Sequence, residues 1–172
     1  MAKSALSREK TSSSSQPVQQ WTYDVFVSYR GEDTGKNFTD HLYSRLNGAG
    51  ITTFRDKNEM KRGEKISSEL LKAINESNNF IVVFSQNYAT SQWCLDELVE
   101  IMECRKQFSQ LILPIFYKVK PSDVRKQTGS FGEAFVKHDG DQNVDKNKVS
   151  SWRAALAEAG ELSEWDLDNT DG

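Results

Sequence analysis

Short apolar runs alternate with segments of helical period along most of the chain, and this alternation limits the fold more than any other feature. Val25-Phe26-Val27 runs into Ser28-Tyr29-Arg30-Gly31. A β-branched run closed by glycine has the pattern of a buried strand. Phe38, Leu42 and Leu46 then recur every four residues, with Thr34 as the expected N-cap and Gly48 and Gly50 as the stop. Residues 51–54 read as a second strand, and the charged stretch 56–65, with Gly63 inside it, as a loop. Ile66, Leu70, Leu71 and Ile74 give a helix starting at Ser67 or Ser68. The unbroken apolar run 80–84 reads as a central strand, and Leu95, Leu98, Val99 and Met102 mark the next helix. Residues 111–117 form a fourth strand, where Pro114 argues for the sheet edge or for the strand's first half. Phe131, Ala134 and Phe135 suggest a short helix, and Val149, Trp152, Arg153 and Leu156 a last one.

Strands that alternate with helices pair in parallel, with right-handed crossovers and helices on both faces. The expected fold class is therefore α/β: a flavodoxin-like three-layer fold with a central parallel sheet of about five strands. Four strands can be placed in the sequence and the fifth cannot. Residues 1–20, rich in Ser and Gln, are expected to be a disordered tail. One domain is expected over 21–167, with 168–172 a polar tail or the start of a linker.

Composition narrows the function classes. The 172 residues carry a formal net charge of -3, which does not call for nucleic acid, although it leaves room for weak local basic patches. The two cysteines, Cys94 and Cys104, fall in one helix about 15 Å apart along its axis, so they cannot pair there. They read as half-buried small hydrophobes in a reducing compartment. No apolar run approaches the ~20 residues that span a bilayer, and no signal-peptide core is visible. The expected location is the cytoplasm or nucleus, without a membrane partner.

In an open parallel sheet the ligand crevice lies beyond the carboxyl ends of the strands. The informative loops therefore follow Val27, Phe54, Phe84 and Tyr117. In the first, Gly31 permits a tight turn, Arg30 suits a phosphate or carboxylate, and Tyr29 offers an aromatic face. The same residues would also serve a plain strand-to-helix turn. Trp93 and Glu97 are four apart and share a helical face. A helical wheel points that face away from the Leu95, Leu98, Val99, Met102 stripe, so both are expected on the solvent side. His138, with no motif around it, is expected at the surface. A G-x-G-x-x-G fingerprint is missing after the first strand, and Ser85 stands where a phospho-acceptor receiver needs aspartate.

Several motifs follow one another in order: Tyr23-Asp24-Val25-Phe26-Val27-Ser28-Tyr29-Arg30-Gly31-Glu32-Asp33, then Thr53-Phe54-Arg55-Asp56 with Arg62-Gly63-Glu64-Lys65-Ile66. Ser91-Gln92-Trp93-Cys94-Leu95-Asp96-Glu97-Leu98 follows, then Leu113-Pro114-Ile115-Phe116-Tyr117, Pro121-Ser122-Asp123-Val124-Arg125 and Trp152-Arg153-Ala154-Ala155-Leu156. Together they resemble the TIR domain of plant nucleotide-binding leucine-rich-repeat disease-resistance receptors. The resemblance implies an NAD+ glycohydrolase that is active when assembled, releasing nicotinamide and ADP-ribose-type signals. It makes Glu97 the catalytic carboxylate and places Tyr29, Arg30, Gly31, Trp93 and Arg62 around the nucleotide. NAD+ or NADP+ is then the substrate, and neither a cofactor nor a metal is expected. The family also self-associates through its first and last helices. Asp40 and His41 fall at one such surface, with Asp40 where the family usually has serine. Glu164 and Trp165 fall at the other, with Glu164 where it more often has glycine. A non-catalytic TIR–TIR scaffold is the alternative the same fold allows. With Glu97 on the solvent side, Glu97→Ala is expected to keep the fold and lose the activity.

Overall fold

A computed structural model describes residues 20–56 and 66–162. The chain runs β1 (Tyr23–Ser28), α1 (Gly31–Thr34), α2 (Phe38–Gly48), β2 (Thr53–Arg55), α3 (Ser68–Asn75) and β3 (Ser77–Phe84). A 3-10 turn at Tyr88–Thr90 leads into α4 (Gln92–Phe108). Then come β4 (Leu111–Phe116), α5 (Pro121–Lys126), α6 (Gly129–Gly140) and α7 (Lys146–Glu161). The strands form one sheet in the order β2-β1-β3-β4, all parallel. The architecture is the expected α/β one, with four strands among the described residues.

Alternation along the strands sorts side chains to two faces. Phe26, Phe80, Val82, Phe84 and Ile112 point into the larger core, which α3 to α7 cover. Val25, Val27, Ile81 and Val83 point to the other face, where α2 contributes Phe38, Leu42 and Leu46. Among the described helices only α2 covers that face, which leaves Leu113 50 % and Leu111 69 % exposed on β4. Pro114 sits opposite Val82 on this edge strand, as its missing N–H requires.

Local chemistry sets the helix ends. Ser67 caps α3 by accepting from Leu70 N at 3.2 Å. Ser91 caps α4 by accepting from Cys94 N at 3.1 Å. Thr34 does not cap α2 as expected. It ends α1, and its hydroxyl lies 2.7 Å from Thr39 Oγ1, while Asn37 takes the cap. Gly50, at φ 83°, supplies the left-handed turn out of α2. Helix α6 is longer than the short helix expected.

His138 and the cysteines also depart from expectation. His138 is buried, with Nε2 2.8 Å from Ala89 O and its ring 5.0 Å from that of Trp152. A lone histidine gives no periodic signal that would reveal such packing. Both cysteines are fully buried rather than half-buried. Burial, with the Glu100 and Glu103 carboxylates nearby, pushes the Cys104 thiol up to about 11.

Two predictions follow from this packing. A Cβ on Gly160 would lie 2.8 Å from Arg125 Cβ and 2.8 Å from Arg125 N, where α7 crosses α5. Gly160→Ala should therefore destabilise the fold by about 1–3 kcal/mol, read as a lower denaturation midpoint. The raised Cys104 pKa leaves roughly a hundredfold less thiolate at pH 8 than in an unfolded chain. Cys104 should then react with Ellman's reagent far more slowly in native protein than in denaturant.

Candidate functional site

Parallel pairing brings the carboxyl ends of β1, β2 and β3 side by side, and three loops meet there. Tyr29 leaves the end of β1 and turns inward. Its hydroxyl donates to Asp56 O at 2.7 Å and accepts from Arg55 Nε at 3.2 Å. Arg30 follows, with Nη2 3.6 Å from Glu32 Oε1, and Gly31 begins α1. Asp33 ties this loop to the one after β3. It accepts from Ser85 Oγ at 2.6 Å, Asn87 N at 2.7 Å and Asn87 Nδ2 at 2.8 Å. Three donors on one carboxylate hold the crevice mouth rigidly.

Helix α4 enters the crevice with its N-terminal turns. Trp93 donates from Nε1 to Asp56 Oδ2 at 2.5 Å. Glu97, one turn on, accepts from Ser28 Oγ at 2.7 Å. Glu97 is 2 % exposed and Trp93 7 %, so the expectation that both face solvent is wrong. The helix is buried over a wider arc than its apolar stripe. Cys94, Glu97 and Ile101 are buried beside Leu98, while Val99 is only partly so. Helices α3 and α7 both pack on α4, so its covered arc exceeds the apolar stripe, and a wheel drawn from apolar residues alone cannot show that.

Arg55, the last residue of β2, links that strand to α2. Its Nη1 donates to Asp40 Oδ1 at 2.8 Å and its Nη2 to Gly35 O. The guanidinium also lies over the rings of Tyr29 (5.4 Å) and Tyr43 (5.5 Å). Burial alone would lower the Arg55 pKa, but the bonds to Asp40 and Tyr29 outweigh it and raise the pKa. Asp40 is thus engaged within its own chain, one residue before the exposed His41 on α2.

The structure therefore gathers Tyr29, Arg30, Gly31, Trp93 and Glu97 at one end of the sheet. Asp40 and His41 lie on α2, and Asp40 is joined to that end through Arg55. Arg62, Glu164 and Trp165 fall outside the described residues. Sequence reasoning gave no role to Asp56, Ser28 or Tyr88. Asp56 stands at the start of a charged stretch and looks like loop, and a hydroxyl at a strand's carboxyl end was the only hint for Ser28. A cavity of about 550 Å³ opens beside Trp93, walled also by Tyr23, Phe54, Arg55, Asp56 and Lys72. Glu97 is not among its walls. No cluster of His, Cys, Asp or Glu suited to a metal occurs among the described residues, and no described helix is long and apolar enough to cross a membrane.

Comparison with known proteins matches the TIR domain family over residues 22–172. The chain is 56 % identical over 168 residues to disease resistance protein RPV1 of Vitis rotundifolia, covering 97 % of this chain and 12 % of that protein. It is 54 % identical over 149 residues to TMV resistance protein N of Nicotiana glutinosa, covering 87 % of this chain and 13 % of that one. It thus spans about an eighth of the length of these relatives. Among solved structures, the TIR domains of the activated Roq1 resistosome, which directly recognises the pathogen effector XopQ, superpose with a TM-score of 0.75. They share 51 % identity, over 87 % of this chain and 90 % of that one. Family match, sequence identity and superposed fold agree: the chain belongs to the TIR domain family.

Proposed function

We propose that this chain is a signalling domain of plant innate immunity that cleaves the ribose–nicotinamide bond of NAD+ or NADP+ when it self-associates. The observation that carries the reading is Glu97: a buried carboxylate at the carboxyl end of the sheet, held by Ser28 and one turn from Trp93. Burying a carboxylate is costly, and buried acids of this kind concentrate at functional sites. The resistance proteins among its relatives and the resistosome from which its structural neighbour comes support the immune role and the assembly.

The reaction suits a single carboxylate. Breaking the C1′–N bond leaves oxocarbenium-like charge on the ribose, which a carboxylate stabilises as in glycosidases. The pyridinium nitrogen takes the bonding pair and departs as neutral nicotinamide, so no general acid is required. Water then adds at C1′ and loses a proton, giving ADP-ribose; an internal nucleophile gives a cyclic product instead. Trp93 supplies a ring for the nucleotide, and Arg30 a cation for its phosphates.

Burial explains why activity would need assembly. In the isolated chain Trp93 is tied to Asp56 and Glu97 is covered, so a nucleotide enters only after the loops around them rearrange. TIR–TIR contacts through α2 would act on these loops through Asp40 and Arg55. The same burial favours a second reading, a non-catalytic homotypic scaffold in which the covered Glu97 is structural.

Nicotinamide release separates the two. The glycohydrolase reading predicts release that rises steeply with protein concentration and falls at least about a hundredfold in Glu97→Gln, which keeps the side-chain shape. No release from folded wild type at any concentration supports the scaffold. Because Glu97 is buried, Glu97→Ala should no longer leave the fold untouched. It removes the acceptor of the Ser28 hydroxyl at a cost of about 1–3 kcal/mol, measurable by denaturant unfolding.

A further inference from the structure

We infer that Ser28 is the positioning residue for Glu97, and that Tyr88 aligns Ser28 behind it. The inference rests on the proposed function. Three elements distant in sequence contribute: the last residue of β1, the 3-10 turn after β3, and the second turn of α4. Ser28 Oγ lies 2.7 Å from Glu97 Oε1 and 2.8 Å from Tyr88 Oη. Tyr88 Oη lies in turn 3.1 Å from Cys94 O. All three side chains are buried, so water does not compete for these bonds.

Proton counting sets the direction of the string. A serine hydroxyl has one proton, and an ionised carboxylate only accepts. With Glu97 ionised, Ser28 donates to Oε1 and its oxygen accepts from the Tyr88 hydroxyl. The Tyr88 proton then lies between Ser28 Oγ and Cys94 O. Each donor polarises the next, and the gain accumulates at the carboxylate. A hydrogen bond to the charged form also favours ionisation. Ser28 thus fixes one rotamer of Glu97 at the end of β1 and keeps it in the form that stabilises an oxocarbenium centre. A protonated Glu97 would reverse the string, donating to Ser28, with Tyr88 donating to Cys94 O alone. The two directions make opposite predictions for removal of the serine hydroxyl.

The test is a ¹³C-carboxyl NMR titration of Glu97, assigned by Glu97→Gln, in wild type, Ser28→Ala and Ser28→Thr, with nicotinamide release measured on the same proteins. Ser28→Ala should move the Glu97 midpoint upward, and Ser28→Thr, which keeps the hydroxyl, should restore it toward wild type. In parallel, kcat should fall by about tenfold to a hundredfold in Ser28→Ala with KM little changed, and the acid limb of the pH profile should move to higher pH. A midpoint that is unchanged or lowered in Ser28→Ala overturns the inference. So does an equal displacement in Ser28→Ala and Ser28→Thr, which would make the effect one of packing. Absence of release from wild type at every concentration overturns the proposed glycohydrolase instead, whatever the titration gives.

Discussion

The site depends on the parallel pairing of β1 with β3, which runs from Tyr23 opposite Ser77 to Ser28 opposite Val82. Parallel strands deliver their carboxyl ends to one side of a sheet, so the loops after β1, β2 and β3 must emerge together. That register puts Ser28 where α4 passes over the sheet end, close enough to hold Glu97. A shift of one residue would send the Ser28 side chain to the opposite face, toward α2. The Ser28–Glu97 contact and the Asp33 clamp between two of the loops both presuppose this pairing.

Around that pairing the polar groups are engaged in depth. Asp56 receives the indole of Trp93 on its side chain and the hydroxyl of Tyr29 on its carbonyl. Arg55, its neighbour, holds Tyr29 from the other side and reaches Asp40 on α2. A continuous set of short polar contacts thus joins a helix proposed for self-association to the tryptophan beside the proposed catalytic acid. Such a set can couple two places only if it has two arrangements. The structure contains one, in which Trp93 is held and Glu97 covered.

Stability and function draw on the same groups. A buried carboxylate is tolerated because it accepts hydrogen bonds, and those bonds also orient it. The aromatic core beneath, with Phe26 stacked on Phe54 at 5.3 Å and Phe84 on Phe116 at 5.6 Å, keeps the strand ends from shifting. The opposite face of the sheet is thinner, with α2 as its one described cover and leucines of β4 left exposed.

Much was legible in the sequence because it is written in short-range patterns. Apolar runs gave four strands, the 3.6 period gave α2, α3, α4 and α7, and Pro114 gave the edge or the strand's first half. Parallel topology indicated which loops meet, and the family resemblance picked out Tyr29, Arg30, Gly31, Trp93 and Glu97 among them. What sequence could not give was the environment of single polar groups. Glu97 and Trp93 read as solvent-side, and His138 as surface, because a wheel records one apolar stripe and not what packs against the rest of the helix. Tyr88 and Asp56 carried no signal and Ser28 only its place at a strand's carboxyl end, since their partners lie 60, 37 and 69 residues away. Local periodicity fixes the order of the four strands and of α2, α3, α4, α6 and α7, because it is written in neighbouring residues. Which polar side chains are buried, and what they bond, follows from the fold, because burial depends on neighbours that folding brings together.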